Sequence, residues 1–501
     1  MDNNIIPDKF IGRTGYQIFV DRFYRKGEPP MPIKGRKIKN WDDTIPDWKP
    51  DIDGKYTNLY FYGGNLKGII EKLGYIKELG FNLLYLSPIS KTVSSHHYDV
   101  EDQREIDPWI GTWEDFNLLC KIAHERDILI CVDLVFNHMG INSKFFQEVL
   151  SNNNSKYKNW FEWNENGEPV YWYGFKDMPQ CNKLNPDYQE YTFSVAEKYL
   201  LNGADGIRLD LGENLPAEYM QKFRNRVKKL NPETLIVSEM WELATTKENP
   251  QIYGDQVDSV MNYPMADAIY RWIRYGNSGH FLFTYNEIKK YPKNVQDVLW
   301  NFLDSHDTPR AVNVLTGPGI NIDPFRGRAW DIEAPWRNGE EFDTYSFRKW
   351  ELDNDSVDKN NSNNKLKIAS LIQYFISGIP IVYYGTENGI TGYKDPFNRK
   401  PYPWNYKDEL LEHYKNIGEF RIANKDILKN GAMIEDIITE DVLIIFRKNE
   451  NGILVIEVNR TEYEQLSPIK DWENDWEKVL SINNSTIDLL RPYGAVVYRR
   501  W

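Results

Sequence analysis

Cysteine is scarce. The 501-residue chain has three, Cys120, Cys131 and Cys181, an odd and widely spaced set. That set supplies neither a disulfide framework nor the paired spacing of a zinc site. No run approaches the roughly eighteen apolar residues of a membrane span, and the opening MDNNIIPDKF lacks the basic segment and apolar stretch of a secretory signal. The expectation is a cytoplasmic protein with no membrane partner. Positive charge is in deficit too: a net charge of −13 argues against nucleic acid and favours a neutral ligand. No internal repeat is visible, which sets aside a solenoid. Aromatic residues are plentiful by contrast, at 14% with 17 Trp and 32 Tyr. Beyond core packing, such rings suit a site where flat apolar sugar faces stack.

Short apolar runs alternate with helical patterns along most of the chain, as expected of βα units around a parallel sheet. Eight candidate strands read YQIFVD (16–21), NLLYLS (82–87), ILICVDL (128–134), GIRLD (206–210), LIVSEM (235–240), SVMN (259–262), VLWNFLD (298–304) and PIVYYG (380–385). Patterns at three- and four-residue spacing predict helices over 66–79, 113–126, 188–201, 217–230 and 366–375. Eight such units predict a closed (β/α)₈ barrel. The long connections 22–65 and 135–187 fall where a barrel places its chemistry. The Asn/Asp-rich stretch 351–365 reads as a mobile surface loop. Beyond residue 425 the texture becomes short alternating strands. The expected organisation is a barrel over 1–138 and 186–424, an inserted subdomain over 139–185, and a C-terminal β-sandwich over 425–501.

Polar residues stand at or just past several strand ends, where packing alone would call for apolar ones. DLVFNH (133–138) closes strand three, GIRLD puts Arg208 and Asp210 on strand four, SEMW puts Glu239 on strand five, and LDSHD puts His306 and Asp307 after strand seven. Adjacent strands lie about 4.8 Å apart. Asp210 and Glu239 can therefore reach the roughly 5 Å carboxyl separation of a retaining glycosidase. Such an enzyme needs one carboxylate to attack the anomeric carbon and one protonated carboxyl to release the leaving oxygen. A third, Asp307, can offset the charge of the oxocarbenium-like transition state. Arg208, two residues before Asp210, points to the same face.

These segments resemble the sequence regions of the α-amylase family of glycoside hydrolases, family 13, in their usual order. The resemblance spans nearly the whole chain, from YQIFVDRF through HHYDV to PYGAVVYRRW. It implies Asp210 as nucleophile, Glu239 as acid/base and Asp307 as transition-state stabiliser. Tyr98, His138, Arg208, Trp241 and His306 are then implied around the reacting sugar. YWYGFKDMPQCNKLNP (171–186), SHDTPR (305–310) and KDPFNRKPYPW (394–404) are similar to neopullulanases, cyclomaltodextrinases and maltogenic amylases. In that subgroup Asp395 and Arg399 would hold the sugar one place beyond the cleaved bond. The resemblance implies α-glucans as substrates, chiefly through α-1,4 bonds, and no cofactor for the chemistry. It also implies a structural Ca²⁺ near Asn137.

The sequence departs from the subgroup after Asp210. It reads LGEN, with Glu213 and Asn214 in swapped order, and MPQCNKLN is longer than the subgroup's motif, which bears on Lys183 and Asn185. The extra N-terminal β-domain of many relatives is not expected, since the first strand begins by Tyr16. Two alternatives stand beside hydrolysis: glucosyl transfer through the same intermediate, and a catalytically inactive glucan-binding relative.

Overall fold

The computed structural model describes residues 7–317, 328–329, 344–469 and 475–501, apart from single positions 29, 34, 52 and 487. Eight short strands form the inner sheet: β1 (Gly15–Ile18), β2 (Leu83–Leu86), β3 (Leu129–Leu134), β4 (Gly206–Leu209), β5 (Leu235–Ser238), β6 (Ser259–Val260), β7 (Trp300–Phe302) and β8 (Ile379–Tyr383). All are parallel and ordered β6–β5–β4–β3–β2–β1–β8–β7. A parallel bridge between Met261 and Trp300 joins the two ends, so the sheet closes into the expected (β/α)₈ barrel. Nearly every strand residue is buried on both faces, which explains their continuous rather than alternating apolar pattern.

Helices pack outside, and their starts are written in the sequence. Asn65 caps Leu66–Glu78, and Thr112 and Asp115 form a reciprocal capping box on Trp113–His124. Asn185, followed by Pro186, caps Pro186–Leu201 through Tyr188 N–H. Its side chain is thus a helix cap rather than a cleft contact.

The C-terminal region is a five-stranded antiparallel sheet faced by a two-stranded one. Its strands are β9 (Ala432–Ile438), β10 (Val442–Asn449), β11 (Gly452–Asn459), β12 (Glu477–Ile482) and β13 (Ala495–Arg500), ordered β9–β10–β11–β13–β12. Alternation divides its faces. Leu443, Ile445, Leu454 and Ile456 join the barrel-side core, whereas Val442, Ile444, Val455 and Val496 pack with Leu490 of the small sheet.

Two expectations need correction. The strand predicted over 16–21 ends at Ile18, and Val20–Phe23 forms a helical turn. Phe19 and Val20 remain buried, but Asp21 turns aside to pair with Arg22 at 2.7 Å and to accept the N–H groups of Tyr62 and Gly63. The stretch 351–365 is a loop only over 354–358; the rest is the end of helix Thr344–Asp353 and the start of Lys359–Phe375. Several of its polar residues have fixed partners. Asp358 caps the second helix, and the buried Asn363 donates to Asp408 at 2.8 Å.

Candidate active site

Strand register sets the centre of the site. Leu209 pairs with Ser238, so Asp210 and Glu239, each the next residue, leave neighbouring strands side by side. Asp133 pairs with Arg208 one strand over. The buried Arg208 guanidinium serves all three acids. Its Nη1 donates to both oxygens of Asp133 (2.8 and 2.9 Å) and to Asp210 Oδ1 (3.1 Å). Its Nη2 lies 3.0 Å from Glu239 Oε2, as an ion-pair contact without hydrogen-bond alignment. One guanidinium in contact with both carboxylates ties together the two acids that a covalent intermediate requires.

The turn after Asp210 explains the unusual LGEN segment. Leu211 adopts left-handed φ/ψ of 47° and 38°, which aims its N–H at Glu239 Oε2 (2.7 Å). That conformation is costly for a branched side chain and is held by the packing beneath it. A Cβ on Gly212 would meet Ser238 Oγ at 2.2 Å, so only glycine lets the turn sit against β5. Glu213 faces away and pairs with Lys247 at 2.8 Å. Trp241 completes the grip on Glu239, donating from Nε1 to Oε1 at 2.9 Å while its ring lies flat on Tyr263.

Five carboxylates, Asp133, Asp210, Glu239, Asp307 and Asp395, share two contacting guanidinium groups, Arg208 and Arg399. The balance cannot support full ionisation in a buried pocket. Burial, then repulsion from Glu239, holds Asp210 well above the usual carboxylate range and lifts Asp307 to about 7. The cluster is thus short of positive charge at Asp210 and Asp307, whereas acid catalysis needs a proton at Glu239. The histidines do not supply it. Burial lowers His138 to about 4 and holds His306 well below the usual imidazole range, so both are neutral hydrogen-bonding groups.

A hydrogen-bonded chain fixes the floor of the pocket. The Gln17 amide lies 2.8 Å from His306 Nδ1, His306 Nε2 meets Tyr98 Oη, and Tyr98 donates to Asp133 at 2.9 Å. Tyr85 donates to the same Asp133 oxygen at 2.7 Å. Tyr98 and His306 lie parallel, and His138 stacks on Trp172. Asp307 contacts His306 at 3.2 Å and Arg399 at 3.7 Å, and Arg399 pairs with Asp395 at 3.2 Å.

A cavity of about 500 Å³ gathers Tyr98, His138, Asp210, Glu239, Trp241, Asp307, Asp395 and Arg399. The buried Arg208 and His306 support it from below. Asn137 is set apart, at the junction with the 139–185 excursion. Its Oδ1 faces the Lys183 ammonium at 3.4 Å, and Lys183 pairs with Glu162 at 2.9 Å. Sequence reading missed Gln17 and Tyr85, polar atoms inside strands that otherwise read as core. It also missed the cavity residues Tyr56, Asn58, His96 and Arg348.

The family description "Alpha amylase, catalytic domain" matches residues 5–322. The chain belongs to the α-amylase family. A cyclomaltodextrinase of Geobacillus thermopakistaniensis is 31% identical, over 98% of this chain and 77% of that protein. Neopullulanase 2 of Thermoactinomyces vulgaris is 33% identical, over 81% of this chain and 62% of that protein. Among solved structures, the cyclic α-maltosyl-(1→6)-maltose hydrolase of Arthrobacter globiformis superposes with a TM-score of 0.77 at 25% identity, covering 99% of each chain. The α-amylase family thus accounts for the barrel and for the order of the strand-end acids. Among the described residues, no helix is long and apolar enough to cross a membrane.

Proposed function

We propose that this protein hydrolyses α-1,4-glucosidic bonds of short α-glucans with retention, acting on maltooligosaccharides, cyclodextrins and pullulan fragments faster than on intact starch. The observation that carries the reading is the Arg208-bridged pair of Asp210 and Glu239. Asp210 attacks the anomeric carbon as the glycosidic bond breaks, and Glu239 delivers its proton to the leaving oxygen. Glu239 then takes a proton from water, which displaces Asp210 and restores the cluster. Asp307 faces the positive charge that builds on the sugar ring, while Tyr98, His138 and His306 engage the ring and its hydroxyls. Asp395 and Arg399 take the next sugar, and Trp241 borders the leaving-group side.

The preference for short substrates is supported by relatives named cyclomaltodextrinase and neopullulanase, and by the Asp395–Arg399 pair across one end of the cleft. It is tested by kcat/KM on maltotriose to maltoheptaose, a cyclodextrin, pullulan and soluble starch, with products resolved by chromatography. Oligosaccharides should lead starch by at least about tenfold. Starch as best substrate, with long early products, would refute the short-substrate reading. Reducing ends lagging behind total products would instead indicate glucosyl transfer.

The residues near Asn137 do not suit a calcium ion. The nearest cation to its carbonyl oxygen is the Lys183 ammonium, which would repel a divalent ion sharing that ligand. Lys183 is buried and paired with Glu162, so a fixed positive charge already joins the excursion to the barrel. Exhaustive chelation should leave Tm and activity unchanged. Lys183→Met should lower Tm by on the order of 3 °C, with no recovery in added calcium. Loss of stability on chelation of the wild type would establish a metal instead.

A further inference from the structure

Helix Thr344–Asp353 contributes a residue to the cleft although it lies far in sequence from every strand-end motif. Its Arg348 lines the cavity beside Asp395, together with Tyr56 and Asn58 from the connection after β1. The guanidinium stands over the Tyr56 ring at 4.4 Å and donates to Trp48 O at 3.3 Å. One turn earlier, Tyr345 packs on Trp48 with ring centroids 5.2 Å apart. The helix is thus fastened to the connection after β1.

Its other side is fastened to the connection after β8. Glu351, fully buried, accepts the N–H of Lys394 at 3.1 Å, next to Asp395. Trp350 packs on Tyr393 at 5.5 Å. Just beyond the helix, Asp355 accepts from Thr391 at 3.1 Å and pairs with Lys400. Three sets of contacts on one side and two on the other make the helix a bridge between these two connections.

We propose that this bridge ends the glycone side of the cleft, and that Arg348 is the residue at which a bound glucan chain stops. The inference rests on the hydrolytic reading above and deepens it. Around Asp210 and Asp307 there is room for the sugar that reacts, and Asp395 with Arg399 serves the next. Arg348 and Tyr56 stand beyond, where a third ring would have to pass. A guanidinium that lines the cleft suits the outer hydroxyls of a terminal glucose. The enzyme then works from the non-reducing end and releases maltose. Linear oligosaccharides present such an end and cyclodextrins do not, so among short substrates the linear ones are favoured.

Maltoheptaose carrying a chromophore at its reducing end tests this. The wild type should shorten the labelled chain by two glucose units at a time, with maltose as the early unlabelled product. Arg348→Ala and, independently, Tyr56→Ala should release unlabelled maltotriose and longer fragments early. Each should raise kcat/KM on cyclodextrin relative to maltoheptaose by about tenfold. Two variants on opposite sides of the contact guard against a folding defect in either one. Early maltotriose or longer fragments from the wild type would overturn the proposal. So would product patterns unchanged in both variants. Absence of cleavage of any α-glucan by the wild type would overturn the hydrolytic reading itself, and this inference with it.

Discussion

Asp210→Asn is expected to lose more than about 10⁴-fold in kcat on every substrate, because no other group can form the covalent intermediate. Glu239→Gln is expected to behave differently. General acid help is worth about 10²- to 10⁴-fold, so that much should vanish on maltooligosaccharides, whose leaving alkoxide is strongly basic. An α-maltosyl fluoride leaves without a proton. With that substrate the Glu239 variant should regain much of the first chemical step, whereas the Asp210 variant should not. The contrast follows from geometry as well as chemistry. Trp241 Nε1 and Leu211 N–H hold Glu239 from two directions. Gln can keep one of those bonds through its carbonyl oxygen, so the variant should stay folded with its binding site intact. Comparable loss on both substrates in both variants would reverse or void the two roles.

The carboxylates were legible from sequence because an acid is conspicuous at the end of an apolar strand. Register then did the rest. A shift of one residue between β4 and β5 would separate Asp210 from Glu239, and Leu209 pairing with Ser238 forbids it. The supporting chain was less legible. Gln17 and Tyr85 sit within strands whose neighbours are core, and nothing local says that their polar atoms face the barrel axis. The Asn/Asp-rich stretch shows the converse error, since composition alone suggested a loop. Asp358 and Asn363 are instead satisfied by a helix N-terminus and by Asp408, partners that only the folded chain brings near. Arg348 left no signal at all. Its place in the cleft depends on contacts to Trp48 and Tyr56 nearly three hundred residues away in sequence.

Arg208→Met should move the pH dependence of the nucleophile, not merely reduce activity. In the folded protein Asp210 is raised by burial and by Glu239, and Arg208 is the principal opposing influence. Removing a guanidinium in contact with a carboxylate raises that group by about 1–3 pH units. Asp210 must be ionised to attack, so the acid limb of kcat/KM should move upward by that amount. With α-maltosyl fluoride the proton on Glu239 is not needed, and the limb reports Asp210 with little interference. At pH 6 the loss should therefore be about 10- to 10³-fold, recovering as pH rises. Stability carries the same sign. Asp133 and Asp210 would be buried without their shared cation, a cost of about 3–5 kcal/mol when both are charged. Carboxyls whose folded pKa exceeds the unfolded value contribute most at low pH, and that contribution is lost as pH climbs through the folded value. The Tm gap between wild type and variant should accordingly be small near pH 4 and widest near pH 8. An acid limb that stays in place while activity falls equally at all pH values would reduce Arg208 to a packing residue. The charge balance among the five acids would then have to be struck elsewhere.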